Sequence, residues 1–136
     1  MTDIAKALTE LGVKEWVLRG EPTTKEEFAS MYAKVTGADA NGMAIESTDE
    51  SDWGCTWEDV VAKRDALVAA EPMKQLRVER DLRLAETDWM GNSDVTMTDA
   101  WKTYRQALRD LPASADPKLL NGMLDPSSVT WPTKPS

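Results

Sequence analysis

Residues 73–89 read MKQLRVERDLRLAETDW and residues 98–112 read TDAWKTYRQALRDLP. Both stretches are rich in helix formers, and the second has one apolar face made by four residues: Trp101, Tyr104, Leu108 and Leu111. The first stretch has two neighbouring apolar stripes: Met73–Leu76–Arg80–Leu84 and Val78–Leu82–Ala85–Trp89. Because helices joined by a short loop pack side by side, the two stretches predict a C-terminal antiparallel helical hairpin.

Shorter helices are predicted ahead of this hairpin. Residues 2–11 have apolar positions on one helical face, and residues 23–37 continue with apolar side chains at helical spacing. A further helix begins at Thr56. Because proline removes a backbone donor and clashes with the preceding turn, Pro72 predicts a kink or a fresh start, and Pro112 predicts the end of the last helix.

The remaining segments predict little regular structure. A small β element is expected near residues 13–20, and residues 43–45 could pair with it as a minor strand. Proline and serine dominate after Pro112, a composition typical of extended chain.

The fold class is therefore mainly α, with short helices, the C-terminal antiparallel helical hairpin, this β element and an extended Pro-rich C-terminal tail. Three parts are expected: an acidic N-terminal α/β subdomain (1–55), a helical region with the hairpin (56–112) and the tail (113–136).

The composition of the chain argues against several classes of function. The 136 residues carry a formal net charge of −8, and residues 1–52 hold eleven acidic and five basic side chains. Nucleic-acid binding rests on a Lys/Arg footprint, so this charge speaks against it. No apolar run approaches the roughly 20 residues of a membrane helix, and the first residues lack the pattern of a secretory signal. With no histidine, Ser-His-Asp, Cys-His and His-based zinc sites are excluded, and the single cysteine fits a reducing compartment.

The remaining candidates for chemistry have simpler explanations. The acidic loop of residues 39–52 fails the EF-hand register, because its glycine comes too early after Asp39. Carboxylate pairs such as Glu86 and Asp88 lie among Lys and Arg on regular helices, where solvated charge is their ordinary role. Cys55 has no basic neighbour in sequence that would lower its pKa. We therefore expect no catalytic residue, no cofactor and no metal ion.

The six tryptophans suggest binding instead. Most are expected in the core, because each buries a large area. Trp131 lies in the Pro-rich tail, and it either packs back on the hairpin or docks on another chain. Aromatic anchors with Arg neighbours are typical of interface hot spots, so a binding or assembly module is favoured over an enzyme. The candidate partner-binding or hairpin-packing residues are Trp89, Trp101, Tyr104, Arg105, Leu108, Leu111 and Trp131.

Several blocks occur in an order known from one family. LRVERD at 76–81 is followed by LAETDW at 84–89, then by AWKTYRQALRDLP at 100–112, and Trp131-Pro132 closes the series. This order resembles the tail assembly chaperone-like domain of tailed bacteriophages. Arg83 departs from the pattern, because the family has an apolar residue there.

Blocks in the front half extend the resemblance. Through WVLRG at 16–20, KVTG at 34–37 and IES at 45–47, the chain is similar to cyanophage proteins that carry this domain. The resemblance implies a non-enzymatic phage tail protein that acts in tail or tail-fibre assembly by protein–protein binding, in the host cell cytoplasm. The alternative is a structural virion component, a tail or fibre-attachment protein kept in the mature particle. The implied partners are phage tail or tail-fibre proteins, with a homo-oligomer left open, and neither nucleic acid nor a membrane.

Overall fold

The computed structural model describes residues 2–136. The chain is mainly α with small antiparallel sheets, which confirms the predicted class at this level. It divides into two compact units, the first ending at Ala69 and the second spanning Ala70–Ser136, with the boundary inside helix α3 (Trp57–Ala85). No helix within residues 2–136 is long and apolar enough to cross a membrane.

The first unit combines helices with a three-stranded antiparallel sheet in the order β1-β2-β3. Thr2 caps the first helix by accepting from the N–H of Ala5, and Thr24 caps the second by accepting from the N–H of Glu27. The elements before α3 are α1 (Asp3–Glu10), β1 (Trp16–Leu18), α2 (Lys25–Met31), β2 (Tyr32–Ala38) and β3 (Ala44–Ser47). Strand β1 lies inside the β element predicted near residues 13–20. Strand β3 pairs with β2, so the predicted pairing of residues 43–45 with β1 is wrong.

The helix predicted over residues 23–37 is wrong in its second half. The helix ends at Met31, and Tyr32 begins strand β2. Val35 and Thr36 are β-branched and favour a strand. The helical spacing misled because Phe28 on α2 and Tyr32 on β2 both point into the same core, where their rings stack with centroids 4.6 Å apart.

Aromatic rings form the centre of the first unit's core. Trp53 meets both Phe28 and Tyr32 edge to face, and Trp57 lies 5.2 Å from Phe28. The Tyr32 hydroxyl donates to the Trp53 carbonyl at 3.1 Å, and burial raises the pKa of Tyr32. Aliphatic residues of α1 and α3 complete the cluster: Ile4, Ala7, Leu8 and Val60.

Neither proline ends a helix. Helix α3 runs through Pro72, so the fresh start that was one of the two predictions there is wrong. The bond that proline removes would have gone to the carbonyl of Val68, a residue that is 52% exposed. Helix α4 (Asp99–Ser114) likewise continues for two residues past Pro112, so the end predicted at this proline is wrong. Thr98 caps this helix by accepting from the N–H of Trp101.

The predicted extended tail is wrong for residues 119–128. Strands β4 (Leu119–Leu120) and β5 (Met123–Leu124) form a two-stranded antiparallel hairpin, followed by a helical turn at Pro126–Ser128. The hairpin turn is Asn121-Gly122, and both residues have positive φ, at 53° and 80°. This dipeptide is the preferred sequence for a two-residue turn of that geometry.

Candidate functional site

Arg105 of α4 holds the C-terminal end of α3. Its guanidinium donates to the Leu84 carbonyl at 2.9 Å and to the Thr87 hydroxyl at 2.6 Å, and it forms an ion pair with Asp88 at 2.9 Å. The last carbonyls of a helix lack partners within the helix and carry partial negative charge, so a cation there is doubly favourable. Arg105 is buried, and its polar atoms tie α4 to the end of α3.

The sequence-predicted residues fall into three environments. Tyr104, Arg105 and Leu108 are buried, so they support the fold and do not face solvent. Trp101, Leu111 and Trp131 are half-buried, and Trp101 meets the Tyr104 ring edge to face at 5.8 Å. Trp89 is 56% exposed in a short turn (Asp88–Gly91), where its indole N–H donates to the Glu86 carbonyl.

The two apolar stripes of residues 73–89 have different environments. In the first stripe Leu76 is fully buried, and Met73 and Leu84 are half-buried. In the second stripe Val78 is 57% exposed and Leu82 is 58% exposed. Residues four apart on a helix are neighbours on one face, so Val78 and Leu82 make an exposed apolar strip along α3. Sequence reasoning found both stripes but did not name the exposed one as a binding surface.

A groove of about 540 Å³ runs beside this strip. One wall is α3, from Glu71 to Arg83, and the other is the C-terminal segment, from Met123 to Trp131. Its apolar lining residues are Val78, Met123, Leu124, Pro126 and Trp131, and its polar ones are Glu71, Lys74, Gln75, Glu79 and Arg83. The volume lies in the range of ligand-binding clefts, which are usually apolar with a few polar groups.

Gln75 fastens the C-terminal hairpin to α3. Its side-chain amide accepts from the N–H of Leu124 at 2.7 Å and donates to the carbonyl of Gly122 at 3.0 Å. The amide thus pairs with β5 as the peptide group of a neighbouring strand would. Glu71, one turn earlier, accepts from the same amide nitrogen at 3.0 Å and orients it. Nothing in the local sequence pattern marks Gln75, because its partners in the hairpin are more than forty residues away.

Arg83 holds Trp131 at the other end of the groove. The guanidinium carbon lies 4.0 Å from the centroid of the indole, which is the geometry of a cation–π contact. Glu79 accepts a hydrogen bond from Arg83 at 3.0 Å and fixes its position. Lys134 reaches Glu86 at 3.7 Å. Of the two alternatives for Trp131, packing back on the helix is the one seen.

The carboxylates considered for chemistry have structural partners. Asp39 accepts from the N–H groups of Asn41 and Met43, and Asp49 accepts from that of Ser51. The hydrogen bonds that Ser51 donates from its backbone and its side chain lower the pKa of Asp49. Burial raises the pKa of the Cys55 thiol. No group of three or more acidic or cysteine side chains within residues 2–136 has a geometry that could hold a metal ion.

The region that carries this groove has a family match. Residues 73–136 match the family model described as phage tail assembly chaperone protein. This segment is therefore a phage tail assembly chaperone-like domain, and the resemblance stated from its sequence blocks is confirmed. No curated protein and no solved structure matches the chain.

Proposed function

We propose that this chain acts without catalysis in the assembly of phage tails or tail fibres, by binding tail proteins in the host cell cytoplasm. A role in tail assembly follows from the family matched by residues 73–136. The observation that carries the binding proposal is the exposed apolar strip of Val78 and Leu82, with Trp89 beyond the end of the helix. Adjacent exposed apolar side chains on one helix face support a binding role, because contiguous exposed apolar surface is typical of interaction sites.

In this proposal the residues of α3 and α4 in the matched segment have different roles. The two helices act as an antiparallel hairpin, in which Arg105 joins α4 to the end of α3 and the side chains of Tyr104 and Leu108 are buried. Trp89 and the exposed strip contact the partner, while Trp101, Leu111 and Trp131 border that contact. The hot-spot pattern of an aromatic anchor among energetically weaker neighbours supports this division.

The expected division of the chain is part of the same proposal. Residues 1–55 act as an acidic adaptor, residues 56–112 supply the hairpin and residues 113–136 shape its surface. The acidic excess over residues 1–52 supports a distinct partner for this front part.

Tail assembly in the presence and absence of the protein tests the proposal. In cells infected with phage that lack its gene, supplying the wild-type chain should restore tails visible by electron microscopy. A variant with Leu82→Asp should not restore them, while Val68→Asp, an exposed valine of α3 outside the matched segment, should. Normal tails without the chain would refute a role in assembly.

Mass spectrometry of purified virions separates the two forms of the function. Absence from the particle, with co-purification of tail proteins from infected lysate, supports an assembly factor. Stoichiometric presence in the particle would replace it with the structural alternative, a tail or fibre-attachment protein.

A further inference from the structure

Two Asn-Gly dipeptides occur in the chain, and both lie in exposed turns. Asn41-Gly42 joins β2 to β3, and Asn121-Gly122 joins β4 to β5. Each glycine has a positive φ, and apart from the adjoining residues no heavy atom lies within 4 Å of the place where its side chain would stand. The two glycine nitrogens are therefore equally open to approach, and a difference in their reactivity must come from hydrogen bonding and from the stability of each turn.

An Asn-Gly dipeptide can lose ammonia by itself, because asparagine is chemically labile and glycine does not shield its own nitrogen. The backbone nitrogen of the glycine bonds to Cγ of the asparagine. The bond from Cγ to the side-chain nitrogen breaks, and ammonia leaves with the proton of the backbone N–H. Water then opens the resulting succinimide ring at one of its two carbonyl carbons. The product is aspartate or isoaspartate, in which the main chain runs through Cγ, and no electron donor or acceptor is needed.

The turn at Asn41-Gly42 holds the attacking nitrogen. The Gly42 N–H donates to the Asp39 carbonyl at 3.0 Å. The Asp39 carboxylate accepts from the N–H groups of Asn41 and Met43, at 2.8 and 2.9 Å. The nitrogen must give up its proton to attack Cγ, and a hydrogen bond donated to a carbonyl stabilises the protonated form. This turn is therefore protected, and it closes a hairpin whose strand β2 is seven residues long.

The turn at Asn121-Gly122 leaves its nitrogen free. Among residues 2–136 the Gly122 N–H finds no acceptor. The strands that this turn joins are two residues long, and Gln75 holds them on α3 through the Gly122 carbonyl and the Leu124 N–H. A two-stranded hairpin is marginal by itself, and such elements open locally far more often than a whole domain unfolds. Each opening lets the side chain of Asn121 rotate towards the free nitrogen of Gly122.

We propose that Asn121 is a site of spontaneous deamidation, in which its side chain reacts with the Gly122 nitrogen and then with water, while Asn41 is protected. Isoaspartate adds a methylene to the main chain inside a two-residue turn, so Leu120 and Met123 can no longer stand opposite each other and the hairpin opens. A new chain therefore presents Met123 beside α3, and an aged chain gradually loses this side of the groove. The inference does not depend on the proposed function, because it needs only this turn and water.

Peptide mass spectrometry of the aged protein compares the two sites within one molecule. The folded full-length chain is kept at pH 8, and each Asn-Gly peptide is followed for the small mass gain that marks conversion of the amide to a carboxylate. We expect Asn121 to react at least about fivefold faster than Asn41, because its turn opens more readily. In chain unfolded by guanidinium chloride both turns are absent, and the two rates should agree within about twofold because the dipeptide is the same.

Gln75→Leu shows whether opening of the hairpin controls the reaction. This variant lacks both hydrogen bonds from α3 to the hairpin backbone, so it should speed the reaction of Asn121 by at least about threefold and leave that of Asn41 unchanged. Gln106→Leu is the matched control, because Gln106 is exposed on α4 and bonds only to Asp110 of the same helix. It should change neither rate, and far-UV circular dichroism checks that both variants are folded.

Amide exchange of the separated forms measures the structural consequence. The form with isoaspartate at position 121 should exchange faster over residues 119–124 than the intact chain, with the exchange of α4 unchanged. Equal rates at Asn41 and Asn121, a faster rate at Asn41, or no reaction of Asn121 in the folded chain would overturn the proposed site. An unchanged Asn121 rate in Gln75→Leu, or unchanged exchange in the isoaspartate form, would overturn the link between this site and the hairpin.

Discussion

Replacing Arg105 with methionine should loosen the attachment of α4 to the end of α3. Methionine keeps the length and helix propensity of the side chain but removes its charge and every donor. The Leu84 carbonyl and the Thr87 hydroxyl then lose a charged donor at 2.9 and 2.6 Å. A hydrogen bond to a charged group contributes about 1.5–3 kcal/mol, and a buried polar group left without a partner adds its desolvation cost. The carboxylate of Asp88 is mostly exposed, so its ion pair adds about 1 kcal/mol or less.

The expected total for Arg105→Met is a loss of about 3 kcal/mol in the free energy of unfolding. Urea unfolding followed by far-UV circular dichroism measures it, and with a urea slope of about 2 kcal/mol/M the midpoint should fall by roughly 1.5 M. Arg109→Met is the matched control, because Arg109 is exposed one turn later on the same helix. It should change the free energy of unfolding by about 0.5 kcal/mol or less.

Asp88→Asn separates the two parts of the network. It removes the exposed ion pair and leaves the bonds to Leu84 and Thr87, so its effect should stay below about 1 kcal/mol. If Asp88→Asn destabilises as much as Arg105→Met, the ion pair and not the capping of α3 is what Arg105 supplies. If Arg105→Met behaves like Arg109→Met, the whole account of this contact is refuted.

Three further outcomes follow from burial and hydrogen bonding. Leu108→Ala should lower the free energy of unfolding by about 2–5 kcal/mol, and Trp101→Ala should lower it by less, because Leu108 is fully buried and Trp101 is only half-buried. The midpoints of urea unfolding compare the two variants. A larger loss for Trp101→Ala would contradict the packing described. Gln75→Leu should remove two hydrogen bonds to the hairpin backbone, and increased amide exchange over residues 119–124 with α4 unchanged would confirm it. Because burial raises the pKa of Cys55, its alkylation by iodoacetamide at pH 8 should be much slower than in urea-unfolded chain, and equal rates would refute its burial.

Local sequence patterns predicted the elements that neighbouring residues specify, for example by an apolar helix face or an N-terminal cap. The apolar face of residues 98–112 gave helix α4, and Thr98 is its cap. The same reasoning failed at Tyr32, where the spacing from Phe28 fits a helix but the two rings meet across a helix–strand junction. The spacing of apolar residues shows which side chains can enter a core, but it does not show whether a helix or a strand carries them there.

The C-terminal segment was mispredicted because composition outweighed a stronger local signal. Asn121-Gly122 between two apolar pairs is the usual sequence of a tight hairpin, but the surrounding prolines and serines suggested extended chain. The partner that stabilises this hairpin is Gln75, far away in the sequence. A two-stranded hairpin is marginal by itself, so its formation depends on a contact that no local reading could supply.

The candidate surface was only partly predictable for a related reason. Both stripes on α3 are visible in the sequence, but which one is covered depends on where α4 and the C-terminal segment pack. Arg105 was one of the candidate partner-binding or hairpin-packing residues, and it is buried with its donors on the carbonyl end of α3. The candidate residues were predicted for partner binding or hairpin packing without a choice between the two, and burial of a side chain is what the sequence alone did not give.

Arg83 contributes to the surface that the chain presents beside Trp131. An apolar residue at this position could hold Trp131 by apolar contact, whereas Arg83 holds it by a cation–π contact while paired with Glu79. Four charged side chains line the groove: Glu71 and Glu79 are acidic, and Lys74 and Arg83 are basic. Because Arg83 is paired with Glu79, the charges beside Trp131 are balanced, and the contact of the indole with α3 does not leave an unpaired cation at this end of the groove.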